Sequence, residues 1–177
     1  MKEAWKTSRI PLTDGRQAVT SVPTSRTYKT RVTGVGDRWP VQTFDTKIAV
    51  LLRDDLVGWQ RLNVTAFLVS GIAAGNTDLI GAPYEDADGT QYLPMFRQPV
   101  LVFAGSKEVL TAAHTRALGR GMRITVFTSD LFGTGNDDDN RAAVRAVPRD
   151  QLDLVGIAVH GARNAVDKVL KGARMHP

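Results

Sequence analysis

The chain reads as a layered α/β domain, four strands forming a largely parallel sheet with helices packed on it. Three observations predict this. Apolar runs of strand length alternate with segments whose apolar residues recur every three or four positions. Clusters of Gly, Asn, Asp and Pro separate them. A chain of 177 residues is also long enough to bury one core without covalent staples.

Residues 1–44 stand apart. They are rich in Thr, Ser, Arg, Gly and Pro, and their apolar residues follow no period, so they read as a poorly ordered N-terminal extension. Val19-Thr20-Ser21-Val22 is the strand-like fragment there, and Pro23 closes it. Trp39-Pro40-Val41 is expected to dock on the domain, which occupies residues 45–177.

Within the domain, 47–53 is a continuous apolar strand of the fully buried kind. Trp59, Leu62, Ala66, Val69 and Ala73 have helical spacing over 59–74, and Gly75-Asn76 stops that helix. Asp86-Ala87-Asp88-Gly89-Thr90 is a turn sequence between two short arms, which predicts a hairpin over 84–93. A second buried strand lies at 100–104. Ser106 then caps a helix reaching about Gly119, with Val109, Leu110, Ala113 and Ala117 on one face.

The third strand is 123–128. Asp137-Asp138-Asp139 lead into a short helix over 141–146 that Pro148 ends, acidic residues suiting a helix start. The fourth strand is 154–159. A last helix places Val166, Val169, Leu170 and Ala173 on its buried face.

Composition narrows the functions. Without cysteine there is neither a disulfide framework nor a thiolate metal site. The longest apolar runs are far too short to span a bilayer, and the N-terminus has no apolar signal region, so a cytoplasmic protein is expected. The formal charge of +5 sits wholly in residues 1–44, which hold eight Lys/Arg against three Asp/Glu; the domain itself is balanced. Such a tail offers weak, nonspecific RNA contact, or is simply a solvated leader.

Four strings carry a resemblance to a known family. They are Lys47-Ile48-Ala49-Val50-Leu51-Leu52-Arg53-Asp54-Asp55-Leu56 in the first strand, Asn63-Val64-Thr65-Ala66 in the first helix, Asp130 and Thr134 in D-x-x-x-T spacing, and Asp167-Lys168-Val169 in the last helix. In this order they resemble the peptidyl-tRNA hydrolase II family. More closely, the chain is similar to a bacterial family of unknown function that shares that fold. The resemblance implies a three-layer α/β/α sandwich around a four-stranded mixed sheet, with an added hairpin. The chain departs from those hydrolases where they carry a Gly- and Lys-rich loop, one lysine of which is implicated in catalysis. Here the loop is Val57-Gly58-Trp59-Gln60-Arg61-Leu62-Asn63, without lysine. Arg61 supplies charge there but exchanges no proton near neutral pH. Their following Ser-His is Val69-Ser70, and the arginine of their D-A-G-R-T loop is Gly133. The scaffold and one acid are kept, while the basic equipment for a polyanionic substrate is not.

Candidate chemistry gathers past the strand ends, where open α/β sheets collect ligand sites. Asp130 is the expected general base or water-orienting carboxylate, with the Thr134 hydroxyl in the same turn. The alternative is an Asx-type turn that uses both on loop amides. Asp54 and Asp55 follow the first strand as substrate-binding carboxylates, a pair able to hold a divalent metal or share a proton, or as a helix cap and a solvated neighbour. Arg61 and Asn63, together with Gln60, would face the same cleft as ligand contacts. An enzyme predicts that Asp130, Asn63 and Thr134 converge.

Asp86 to Gly89 opens like a calcium loop but lacks the downstream Glu. His114, His160 and His176 are scattered, and no pattern pairs them as metal ligands or with a nucleophile. No metal or cofactor is expected. The reading is a small hydrolase or ligand-processing enzyme acting on a small-molecule or peptide-like ligand. A noncatalytic binding module and residual peptidyl-tRNA binding are the alternatives, and exposed helix surface leaves room for a homodimer.

Overall fold

A computed structural model describes residues 44–176. All but Phe44 of the expected extension over 1–44, including its strand-like fragment and the Trp39-Pro40-Val41 contact, lies outside the described residues.

β1 (Thr46–Arg53) is the centre of the sheet. Its run Ile48-Ala49-Val50-Leu51-Leu52 is buried throughout, as expected of a strand covered on both faces. Successive side chains alternate. Ile48, Val50 and Leu52 pack with Val64, Leu68 and Ile72 of α1 (Gly58–Gly75). Ala49 and Leu51 face the other way, onto Leu110, Ala113 and Ala117 of α2 (Lys107–Leu118) and Val166 and Val169 of α4 (Arg163–Val169). Helices therefore cover both faces of a mixed sheet.

The remaining strands are β4 (Val100–Gly105), β5 (Ile124–Thr128), β6 (Leu154–Ala162) and β7 (Arg174–Met175). A separate hairpin joins β2 (Tyr84–Glu85) to β3 (Gln91–Tyr92). Its turn is closed by Asp86, whose Oδ1 accepts from the amides of Asp88 at 3.0 Å and Thr90 at 2.8 Å, while Gly89 takes the left-handed backbone (φ 82°). Asp86 thus serves the turn.

Two expectations about the sheet are corrected. It has five strands, not four, in the order β5-β6-β1-β4-β7. It is also not largely parallel. Among the described residues only β1 and β4 pair in parallel, whereas β6 runs antiparallel to both β1 and β5, and β7 antiparallel to β4. Helix and strand alternate along the sequence in either arrangement, so periodicity carries no information on strand direction.

The last helix is also shorter than expected. It ends at Val169, Gly172 reverses the chain with φ 93°, and the next residues pair with β4. The acidic run has the opposite correction: it lies inside α3 (Asp137–Arg145), because Asn136 caps the helix by accepting from the Asp139 amide at 2.9 Å. Asp137 and Asp138 pair with Arg141 one turn on. Among the described residues no helix is long and apolar enough to cross a membrane.

Candidate functional site

β1, β4 and β5 point the same way, so their carboxyl ends open on one edge of the sheet, beside the start of β6. Arg53 ends β1 on the same side as Leu51, the side that α2 covers, and so emerges next to the first turn of α2. Its guanidinium is divided between two acids. Nε donates to Asp55 at 2.7 Å and Nη1 to Asp153 at 3.0 Å. Lys107, the first residue of α2, puts Nζ 2.7 Å from the same Asp153 oxygen. Ser129, just past β5, donates its backbone amide to the Asp153 carbonyl at 2.9 Å, and its hydroxyl reaches the carboxylate.

Asp153 is the electrostatic centre of this group. The Lys107 ammonium, the Ser129 hydroxyl and the Arg53 guanidinium favour its charged form over the opposing effect of burial, and hold its pKa down at about 2. It is therefore permanently ionised near neutral pH and cannot act as a base. Burial disfavours the Arg53 charge, but the bond to Asp55 and the field of Asp153 outweigh it and raise the Arg53 pKa. Arg53, Asp54, Asp55, Lys107 and Asp153 line a cleft of about 320 Å³.

The residues picked out from the sequence fall into three groups. Asp54 and Asp55 line the cleft; Asp54 also lies 3.4 Å from Arg174 of β7. Asp130 is exposed, one position beyond Ser129, and accepts from the Thr128 hydroxyl at 3.4 Å. It stands beside the cleft without lining it. Arg61, Asn63 and Thr134 point elsewhere. Arg61 turns back onto the β1–α1 loop, donating to the carbonyls of Leu56 at 2.7 Å and Asp54 at 2.9 Å and to His176 Nε2 at 3.1 Å. Thr134 donates to the Leu131 carbonyl at 3.0 Å and sits on the Asn140 amide oxygen, which ties the β5–α3 loop to α3. Asn63 is half-buried on α1 and makes no side-chain hydrogen bond among the described residues. Asp130, Asn63 and Thr134 thus do not converge on the charged cleft.

Sequence reasoning missed Arg53, Lys107, Ser129 and Asp153 as site residues. Arg53 and Asp153 are 100 positions apart, and neither sits in a local motif. The available signal was positional: each borders a strand end. Among the described residues no three His, Asp or Glu side chains are grouped to hold a metal ion.

A family model described as "Protein of unknown function (DUF2000)" matches residues 46–177. A solved structure of a protein of unknown function from Agrobacterium tumefaciens strain C58 is similar, with a TM-score of 0.74 and 45% sequence identity. The match covers 76% of this chain and 100% of that one. No curated protein matches the chain.

Proposed function

The chain belongs to the DUF2000 family of proteins of unknown function, and within it we propose a small hydrolase or ligand-processing enzyme on a peptidyl-tRNA hydrolase II-like scaffold. The observation that carries this reading is the Asp153 carboxylate, which gathers Lys107, Arg53 and Ser129 at the carboxyl edge of the strands, with Asp130 following Ser129 in the chain. Edges of this kind are where α/β sheets place ligands.

In this reading Asp130 takes a proton from a water molecule, which attacks the carbonyl carbon of an ester or amide. The negative charge that develops on the carbonyl oxygen faces Lys107, whose ammonium Asp153 keeps in position. Asp130 then returns the proton to the leaving oxygen or nitrogen as its bond to carbon breaks. Asp54 and Asp55 bind polar groups of the substrate. Arg61 and Thr134 act by holding the two loops in shape.

The test is release of peptide from a model peptidyl-tRNA, alongside hydrolysis of an N-acyl amino-acid ester, with wild type and Asp130→Asn. Hydrolysis of either substrate that falls about a hundredfold or more in the variant supports the reading. No turnover of either removes it. A noncatalytic binding module then stands, favoured by an apolar groove of about 580 Å³ along Leu62, Ala66, Val100, Val102 and Met175.

A further inference from the structure

Between one face of α2 and the chain that enters β6 lies a cavity of about 470 Å³, lined by His114, Thr115 and Leu118 on the helix and by Arg149, Asp150 and Leu152 opposite. His114 is the anomaly in it. The residue is only 6% exposed, yet neither ring nitrogen has a hydrogen-bond partner among the described residues. Buried polar groups are rarely left unpaired, and one that is left so calls for a reason. Among the described residues, the unpaired side-chain atoms sealed from solvent are Gln98 Nε2 and His160 Nε2. The His114 nitrogens are not sealed in this way; they open on the cavity, where a ligand can touch them.

Neighbouring groups fix what the ring offers. Thr111 and Thr115, on the same helix, donate their hydroxyls to the carbonyls of Lys107 at 3.1 Å and Thr111 at 3.0 Å, so neither serves the imidazole. Burial and the Arg149 charge both lower the His114 pKa, which keeps the ring neutral at neutral pH with one N–H and one lone pair. The charge felt at the ring is thus that of Arg149, and Asp150 has no such effect. Arg149 itself is exposed and has no ion-pair partner among the described residues. The cavity therefore sets an N–H donor beside a free cation, and Leu118 and Leu152 give it an apolar wall. An anion is favoured there over a cation. With Asp150 also on the lining, one negative charge is favoured over two.

We propose that this cavity binds a small monocarboxylic acid with an apolar body, the carboxylate accepting from the His114 ring and the Arg149 guanidinium and the body lying on Leu118 and Leu152. Arg149 is long and unattached, so its guanidinium closes on a carboxylate that His114 already holds, and the ligand need match no fixed span. A carboxamide brings no charge for Arg149. An alkylammonium satisfies the His114 lone pair but is repelled by Arg149. The volume lies within the range of small-molecule sites. The cavity shares no residue with the charged cleft at the end of β1.

The test uses the full chain labelled with ¹⁵N at the histidine rings and titrated near neutral pH to about 10 mM with hexanoate, phenylacetate, hexanamide, hexylammonium or inorganic phosphate. His114→Gln identifies the His114 resonances by their loss. The expected result is that these resonances move with hexanoate or phenylacetate and stay in place with the other three. Arg149→Gln changes an exposed side chain, leaves the fold intact, and is expected to weaken carboxylate binding about tenfold. A His114 signal that neither carboxylate moves overturns the proposal and leaves the cavity to water. An equal response to hexanamide or hexylammonium overturns it by denying the role of charge, and an equal response to phosphate by denying that of the apolar wall. Unchanged affinity in Arg149→Gln overturns it as well. The outcome is independent of the hydrolase assay, because it reads binding at a site that takes no part in the proposed turnover.

Discussion

Asp153 gathers three donors on one carboxylate, and two of them are cations. Asp153→Asn keeps the side-chain shape but removes the charge that holds Lys107 and Arg53. Turnover in the ester assay is expected to fall about tenfold to a hundredfold, with the protein still folded by circular dichroism. Unchanged turnover would remove Asp153 from the reaction site. Arg61 differs, because its donors are spent on the backbone of the loop after β1. Arg61→Ala is expected to cost about 2 kcal/mol in urea unfolding, the size of a charged hydrogen-bond set lost from a part-buried site. Arg61→Lys should recover less than half of that, since an ammonium cannot span the Leu56 and Asp54 carbonyls as the planar fork does. Asp54, Asp55 and Asp130 were legible because each lies within two residues of the end of a strand. Lys107 and Asp153 were not, because their partnership forms only when separate strands meet.

At the scale of the element, α1 sits directly on β6. A Cβ added to Gly156 would lie 2.6 Å from Val64 Cγ1 and 2.9 Å from Leu68 Cδ1. Gly156→Ala must push α1 off the sheet and is expected to cost about 1–3 kcal/mol. Gly58, in the first turn of the same helix, has open space around it. Gly58→Ala is therefore expected to leave stability unchanged or raise it by a few tenths of a kcal/mol. Urea midpoints for the pair decide the point, and equal losses would mean that the contact with α1 is not what limits position 156. The helix itself was legible from its spacing, but its buried face was not: the stripe read from the sequence runs through Trp59, Leu62 and Ala66, which are exposed. Val64, Leu68 and Ile72 bury one stripe, while Leu62 and Phe67 remain exposed on the others. β7 had no such signal, because two residues are too few to show a period.

For the whole molecule, the titrating groups set how stability responds to acid. Burial, assisted by Arg149, lowers the His114 pKa, and burial lowers that of His160. A histidine whose folded pKa is depressed contributes stability that is complete above its ordinary 6.5 and is lost as the pH falls through the folded value. Asp153 follows the same sign lower down: its contribution is complete above 3.8 and disappears as the pH falls through about 2. Urea unfolding at a series of pH values should therefore show a plateau above pH 6.5, a first decline below it, and a second decline beneath pH 4. His114→Gln should flatten the first decline. A profile flat from pH 7 to 5 would contradict the assignment of buried neutral histidines.

The sequence by itself determined the α/β class, the buried strand over 47–53, the hairpin and the buried face of α2, because those follow from local periodicity and turn chemistry. It also put Asp54 and Asp55 past the end of the first strand, a local feature, while Asp153 just before β6 went unread. Tertiary structure alone decided three things. One is the antiparallel insertion of β6 between β5 and β1. Another is the meeting of Arg53, Lys107 and Asp153 on one carboxylate. The last is the burial of His160 Nε2 and Gln98 Nε2, each without a hydrogen-bond partner. Each depends on strand order and direction, which bring residues far apart in the chain within hydrogen-bond reach, and a local pattern contains neither.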